Sequence, residues 1–201
     1  MSEAAEVFDE DETNRQVFMR VMWPYLPSFY DGYNVSILAY GQTASGKTYT
    51  MKGANNHYGI IPLTLNHIFE HLKDGALTTS VKVSYFEIYN EQIIDLLATE
   101  PSQKGLELRE DDRKRLIIQG LQEEQIKSED EALRLYDRGE QNRKIASNNI
   151  NVNSSRSHTI FRITLTKITE SYERITSMVN LVDLAGSESI SKTNAVGRLK
   201  T

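Results

Sequence analysis

The chain has 201 residues, of which 39% are hydrophobic and 25% charged, so one soluble globular domain with a real core is expected, not a disordered chain. A net charge of −5 argues against a broadly basic nucleic-acid binder, and the lack of cysteine excludes disulfides and thiolate metal sites. No apolar run is long enough to span a bilayer, and residues 1–6 are too acidic for a signal peptide.

The first part of the chain is predicted to be helical. Apolar residues at helical spacing predict a helix over residues 12–31, which Pro24 and Pro27 should interrupt. A buried strand is expected at 35–40, and the next helix should begin near Gly46.

The middle of the chain alternates helices and strands. The apolar spacing predicts a helix over 59–73, and the alternating residues 81–88 predict a strand. In that strand Tyr85 and Phe86 should point to opposite faces and be structural. We expect a short helix over 91–97 and a polar loop over 99–105.

The second half begins with a predicted hairpin, in which strands 106–109 and 115–119 flank a charged tip. A helix should start after Ser128, an N-cap residue followed by acidic residues, and should run to about Arg138 or Asn142.

Two later strands, 159–166 and 174–182, should pair with each other. Strands that alternate with helices predict an α/β fold. With the loop described next, they indicate a P-loop NTPase whose central, mostly parallel or mixed β-sheet is flanked by helices.

One octapeptide matches G-x-x-x-x-G-K-[ST], the phosphate-binding loop, and follows the strand at 35–40, as that motif requires. It comprises Gly41, Gln42, Thr43, Ala44, Ser45, Gly46, Lys47 and Thr48. Glycines let backbone N–H groups approach phosphate oxygens, Lys47 supplies a cation for the β- and γ-phosphates, and Thr48 offers a hydroxyl to Mg²⁺. The loop alone predicts only that a nucleoside triphosphate binds.

Two further segments carry polar chemistry. Residues 181–188 form an apolar strand that ends at Asp183, where such NTPases usually hold Mg²⁺, and Gly186 could bring a backbone N–H to the γ-phosphate. Residues 151–158 (Asn-Val-Asn-Ser-Ser-Arg-Ser-His) are dense in hydroxyls and amides and include one guanidinium. Such a segment can contact a γ-phosphate, its Mg²⁺ and a water.

In this order the three segments resemble the kinesin motor domain. Its phosphate loop, AYGQTxSGKTxTM, corresponds to 39–51, its first switch, NxxSSRSH, to 151–158, and its second switch, DLAGSE, to 183–188. Shorter stretches are also similar, among them 87–91 (Glu-Ile-Tyr-Asn-Glu) and Asn142-Arg143. The resemblance covers nearly the whole chain.

The resemblance implies an ATPase with Mg²⁺ as its metal. Lys47 would bind the β- and γ-phosphates, Tyr49 would pack against the adenine, and Gly186 would sense the γ-phosphate. Arg156 and Glu188 would form the salt bridge that closes both switches around the attacking water.

The implied site residues fall into three groups. Hydrolysis would depend on Asn151, Ser155, Arg156, Gly186 and Glu188. ATP would contact residues 41–49 and Ser154, and Mg²⁺ would contact Thr48, Ser155 and Asp183. Two interpretations of Tyr49 stay open, because it could also be a plain surface aromatic residue. We expect His158 to pack against the strand and not to take part in catalysis.

Microtubules are the partner that the resemblance implies, with neither nucleic acid nor membrane. The hairpin cluster Arg109, Arg113, Lys114 and Arg115 lies where the family contacts acidic tubulin, although a solvated hairpin explains such a cluster equally well. The expected location is the cytoplasmic microtubule cytoskeleton. Ala44 and Arg109-Glu110-Asp111 tilt the resemblance towards the centromere-associated subgroup, hence the spindle or kinetochore. The full-length parent is expected to dimerise through a coiled coil absent from this chain.

The family pattern also extends beyond this sequence. An R-x-R-P strand precedes its phosphate loop, and helices and strands follow its second switch, so residues 1–201 are expected to be a partial motor domain. Two functions remain open: an ATP-hydrolysing motor core, or a catalytically incompetent fragment that serves only as a nucleotide- or microtubule-binding module. A generic P-loop kinase is a distant third, because it gives residues 154–158 no role.

Overall fold

The structure is a computed structural model that describes residues 6–54, 57–73, 79–99, 105–112, 114–150, 156–169 and 171–188, with the backbone alone over 146–150. The α-helices are α1 Asn14–Val21, α2 Leu26–Tyr30, α3 Lys47–Lys52, α4 Ile60–Lys73 and α5 Glu129–Ile150. The strands are β1 Val35–Ala39, β2 Gly53–Ala54, β3 His57–Tyr58, β4 Thr79–Tyr89, β5 Gln92–Asp95, β6 Glu107–Glu110, β7 Leu116–Gln119, β8 Glu124–Ile126, β9 His158–Ile168 and β10 Arg174–Asp183. Within these ranges, every helix is too short or too polar to cross a membrane.

The main sheet is mixed, in agreement with the predicted fold class. Its strand order is β1-β10-β9-β4-β5, and β8 also pairs with β4. β1 runs parallel to β10, whereas the other pairs in this sheet are antiparallel. The predicted pairing of the two long late strands is confirmed as β9 with β10. β2–β3 and β6–β7 form separate two-stranded sheets.

The core is larger on one face of the main sheet than on the other. On one face, side chains from the sheet pack with side chains from helices α1 to α5. Phe29, Leu65 and Phe161 are fully buried there. A smaller cluster contains Phe86, Ile160 and Val182. Tyr85 belongs to the larger cluster and Phe86 to the smaller one, so the predicted split of these two aromatics across the sheet is confirmed.

The predicted helix over 12–31 is divided as its prolines indicated. Thr13 and Gln16 form a capping box at the start of α1, which ends at Val21. A single 3-10 turn, Trp23–Tyr25, carries Pro24 in its first turn, and α2 carries Pro27 in its own first turn. Proline is tolerated at these positions because its missing N–H would be unpaired there anyway.

The predicted short helix over 91–97 is wrong, because residues 92–95 form strand β5. Asn90 and Glu91 both have positive φ, 48° and 62°, and Tyr89 pairs with Gln92 across this two-residue connection. Two consecutive left-handed residues are the geometry of a type I′ hairpin turn, which matches the twist of paired strands. The apolar residues after it therefore join the sheet edge as a strand.

Helix α5 is longer than predicted and continues to Ile150. Its start is as expected, since the Ser128 hydroxyl accepts a hydrogen bond from the Glu131 N–H at 3.2 Å. Gly139 does not end the helix. A Cβ at this position would lie 2.3 Å from the Tyr85 ring, so glycine allows α5 to pack closely against β4.

The predicted charged hairpin is confirmed as β6 and β7, with Leu108 opposite Ile118. The sequence did not predict the short strands β2, β3 and β8. Each has two or three residues, too few for an alternating pattern to develop.

The turn between β4 and β5 yields a stability prediction. Replacing Glu91 by glycine should raise the free energy of unfolding by about 0.5–1 kcal/mol, because glycine adopts positive φ without steric cost. The matched control is Glu110→Gly in the exposed strand β6, which should lower stability by about the same amount. Urea unfolding of both variants measures this, and a destabilised Glu91→Gly protein would contradict the assigned turn.

Candidate nucleotide-binding site

The sheet brings two of the sequence motifs to one edge. β1 and β10 are parallel, and Ala39 lies opposite Asp183, so both strands end at the same level. The Leu184 N–H donates to the Ala39 carbonyl at 3.2 Å, and the Ser187 N–H donates to the Gly41 carbonyl at 3.0 Å. The phosphate loop and the turn over residues 184–188 are therefore joined by backbone hydrogen bonds.

The loop adopts a conformation that depends on its small residues. Gly46 precedes α3 with φ 90°, in the left-handed region that glycine adopts without steric cost. Ala44 also has positive φ, 62°, which is unusual for a residue with a side chain. The Gly46 carbonyl accepts from the Thr50 N–H at 2.8 Å, and this bond begins the helix.

Lys47 extends its side chain back over this loop. Its Nζ donates to the Gly41 carbonyl at 3.1 Å and to the Gln42 carbonyl at 2.8 Å. The ammonium is thus held at the mouth of the loop, where a cation would meet phosphate oxygens.

Thr48 and Asp183 bring the loop and the end of β10 into direct contact. The Thr48 hydroxyl donates to Asp183 Oδ2 at 2.6 Å, although the two residues are 135 positions apart in sequence. A hydroxyl and a carboxylate are hard oxygen ligands of the kind that Mg²⁺ takes beside nucleotide phosphates. The described residues contain no cluster of three or more His, Asp or Glu side chains that could hold a metal unaided, and Mg²⁺ on a nucleotide needs only one or two protein ligands. These two residues therefore fit the metal.

Glu188 contacts the phosphate loop from the other side. Its carboxylate accepts from the Thr43 N–H at 2.9 Å and also from the Thr43 hydroxyl. The hydroxyl bond, together with backbone N–H donors, holds the pKa of Glu188 below its usual value. Gly186 makes this approach possible, because a Cβ there would lie 2.4 Å from Thr43 Oγ1 and 2.5 Å from Glu188 Oε1.

His158 has a role at the site that the sequence did not reveal. Its Nδ1 accepts a hydrogen bond from the Ala185 N–H at 3.0 Å. Because Thr159 of β9 lies opposite Asp183 of β10, His158 reaches the turn that follows β10. The prediction that His158 packs against the strand was incomplete, since its ring also accepts a hydrogen bond that links the end of the first-switch segment to the second-switch turn. The signal was its place at the start of a strand, but only the pairing register identifies its partner.

The other predicted residues stand as follows. Arg156 is described and exposed, whereas Asn151, Ser154 and Ser155 lie outside the described residues. The hydrogen bonds given above for Glu188 go to Thr43, and its salt bridge with Arg156 stays a prediction.

Tyr49 projects from α3, and the residue is 47% exposed. Its carbonyl accepts from Asn14 Nδ2 at 3.0 Å, which fixes α3 against α1. The exposed ring is compatible with packing on a base and with a plain surface aromatic residue, so the adenine contact remains a prediction.

The charged hairpin projects Arg109, Lys114 and Arg115 towards solvent, while Arg113 lies outside the described residues. Arg109 pairs with Glu107 at 2.7 Å, and Arg115 pairs with Asp111 at 2.6 Å. Acidic neighbours therefore partly offset the positive charge of the tip.

The chain matches the Kinesin motor domain family over residues 3–201. It is 42% identical to Centromere-associated protein E of Homo sapiens and 40% identical to the Kinesin heavy chain of Caenorhabditis elegans, in each case over 96% of this chain. These alignments cover 8% and 24% of the two relatives, so the chain spans only a minor part of their length.

A solved structure of a fast kinesin superposes with a TM-score of 0.87 and 38% identity, covering 96% of this chain and 56% of that one. A family match over almost every residue, this fold similarity, and the meeting of the phosphate loop with the second-switch turn lead to one conclusion. The chain belongs to the kinesin motor domain family.

Proposed function

We propose that this chain is the ATP-binding and ATP-hydrolysing core of a microtubule-based motor and uses Mg²⁺. The observation that carries the proposal is the 2.6 Å contact between Thr48 Oγ1 and Asp183 Oδ2. It brings together two oxygens of the kind that Mg²⁺ binds, from motifs distant in sequence, next to Lys47, whose ammonium lies over the phosphate loop.

Binding would exchange internal contacts for contacts with the nucleotide. The Lys47 ammonium donates to two loop carbonyls, and phosphate oxygens would replace these acceptors with stronger, charge-assisted ones. Thr48, Ser155 and Asp183 would hold Mg²⁺, which when bound neutralises charge on the β- and γ-phosphates. Tyr49 would pack on the adenine.

Hydrolysis would be an in-line attack of water on the γ-phosphoryl group, helped by positioning and charge stabilisation. Gly186 would bring its N–H to the γ-phosphate, and Arg156 with Glu188 would enclose the water, with Asn151, Ser154 and Ser155 completing the first switch. Support comes from Glu188, which contacts Thr43 of the loop, and from His158, which links the two switch segments.

Microtubules are the proposed macromolecular partner, contacted in part through the charged tip of the β6–β7 hairpin. The exposed cations there would face an acidic surface, with association that weakens as salt rises. The corresponding location is the microtubule cytoskeleton. The chain is 42% identical to Centromere-associated protein E and 40% identical to a kinesin heavy chain, and this difference is too small to assign a subgroup.

The first test is steady-state ATP hydrolysis by the purified chain, with and without polymerised microtubules. We expect turnover that microtubules accelerate. The Glu188→Ala variant should lose at least about 100-fold in turnover yet still bind nucleotide, because its role lies in the transition state. The matched control is Glu70→Ala, which removes an exposed glutamate on α4 that forms an ion pair with Lys73. A folded, nucleotide-binding chain without turnover would favour the alternative of an incompetent binding fragment.

The second prediction concerns the metal. In the Asp183→Asn variant, the strengthening of ATP binding by Mg²⁺ should fall about 10-fold or more, because a neutral amide is a poorer ligand for a hard cation. Calorimetric titration of ATP with and without Mg²⁺ measures this. Asp137→Asn, which removes an exposed carboxylate that pairs with Lys52 at 3.5 Å, is the control and should keep wild-type dependence. Equal Mg²⁺ dependence in the two variants would exclude Asp183 from the metal site.

The third prediction concerns the hairpin. The double variant Arg109→Ala/Lys114→Ala should raise the microtubule concentration needed for half-maximal stimulation several-fold and weaken its salt dependence. Lys73→Ala/Arg174→Ala removes two exposed cations elsewhere and serves as the control. If both double variants behave alike, the hairpin is simply a solvated surface.

A further inference from the structure

A buried ion pair contacts Ser157 and involves none of the loop residues assigned to ATP. Arg143 of α5 donates from Nε to Glu87 Oε1 of β4 at 2.8 Å. The two side chains are only 13% and 3% exposed. The sequence analysis noted both residues as part of family-like stretches, but the proposed mechanism gives them no task.

The same guanidinium reaches the first-switch segment. Arg143 Nη2 donates to Ser157 Oγ at 2.8 Å, and Ser157 is 1% exposed. Ser157 directly follows Arg156 and directly precedes the first residue of β9. One planar group therefore fixes a helix, a strand and the segment that carries the proposed catalytic arginine.

A further carboxylate lies near this guanidinium. Glu140 Oε1 is 3.9 Å from Arg143 Nη1 and accepts a 2.5 Å hydrogen bond from the Tyr85 hydroxyl. Burial by itself lowers the pKa of Arg143, but the hydrogen bond and the charge of Glu87, with further help from Glu140, raise that pKa above its usual value. A lysine would keep the charge but could not hold Glu87 and Ser157 in one fixed planar geometry.

Stability alone gives a weak reason for this arrangement. Burying two charges costs free energy that their attraction only partly repays, and packed apolar residues often serve as well. What the ion pair adds is direction, because the guanidinium presents a fixed donor to the Ser157 hydroxyl. The next residue, His158, accepts from the Ala185 N–H that follows β10. Two successive residues at the start of β9 are therefore held by contacts with different neighbouring elements, while Arg156 stays exposed.

We propose that Glu87 and Arg143 are positioning residues for ATP hydrolysis, which hold Ser157 and thereby set Arg156 against the second switch. The inference rests on the proposed ATPase function and deepens it. Neither residue belongs to the segments assigned to ATP or Mg²⁺. Their effect passes through the Ser157 hydroxyl.

The test uses two variants of the full chain, because Arg143→Lys alone could fail to fold. Ser157→Ala removes only the hydroxyl that accepts from Arg143, and Arg143→Lys keeps the charge but loses the planar geometry. Each should lower kcat about 10-fold or more, since a hydrogen bond to a charged group is lost, while affinity for ADP stays within about 2-fold. The double variant should be little worse than either single one, because both break the same contact.

The matched control is Tyr85→Phe, which removes another hydrogen bond of the same buried cluster without touching Ser157. It should lower the unfolding temperature but leave kcat per nucleotide-binding site unchanged. A second readout is hydrogen exchange of the Arg156 and Ser157 amides without nucleotide. Exchange should be faster in Ser157→Ala and Arg143→Lys and unaltered in Tyr85→Phe.

The outcomes separate the two proposals. If the wild-type chain shows no turnover, the proposed ATPase function is overturned. Hydrogen exchange of the Arg156 and Ser157 amides then tests by itself whether Glu87 and Arg143 hold Ser157 in place. If the wild-type chain hydrolyses ATP and the Ser157→Ala variant has the wild-type kcat and the wild-type exchange rate at Arg156 and Ser157, the positioning role is overturned. Slower turnover in Tyr85→Phe to the same degree would also overturn it, because the cluster would then be structural only.

Discussion

The parallel pairing of β1 with β10 is the constraint on which the candidate site depends. With Ala39 opposite Asp183, the loop that leaves one strand and the turn that leaves the other begin at the same level. The contacts between Thr48 and Asp183 and between Thr43 and Glu188 both follow from this register. A shift of one residue would turn Asp183 to the other face of the sheet and separate it from Thr48. The chemistry of both motifs therefore depends on backbone hydrogen bonds that involve neither motif's side chains.

A second layer of contacts connects this edge to the rest of the fold. Gly139 lets α5 pack against Tyr85 of β4, and that close approach brings Arg143 within hydrogen-bond distance of Glu87. Arg143 then reaches Ser157, and the neighbouring His158 reaches Ala185. The packing of one helix on one strand thus extends, through short polar contacts, to the turn beside the phosphate loop.

The sequence predicted the parts of this structure that carry a local signal. The phosphate loop needs glycines and a lysine at fixed spacing, which the sequence displays directly. Pro24 likewise marks the position after α1 where the helix is interrupted. The predicted helix over 91–97 is wrong, because the isoleucines and leucines of this segment fit a short helix as well as a strand. The positive φ of Asn90 and Glu91, which decides the matter, has only a weak signature when glycine is absent. The partners of His158 and Arg143 could not be predicted, because they depend on strand register and on the helix–strand distance set at Gly139.

Exposure divides the polar contacts of the site into two kinds. The contacts of Lys47 with Gln42, of Thr48 with Asp183 and of Thr43 with Glu188 lie at the exposed edge of the sheet, where water competes for every partner. Such contacts contribute little net free energy and exchange readily for phosphate oxygens or a cation. The Arg143–Glu87 pair is buried, and breaking it would leave a charge without water, which is far more costly. The contacts at the phosphate loop are therefore weak, whereas the buried ion pair that contacts Ser157 is costly to break. Ser157 and His158 are held by Arg143 and by the Ala185 N–H, so the exposed Arg156 precedes two fixed residues, the second of which contacts the turn that carries Glu188.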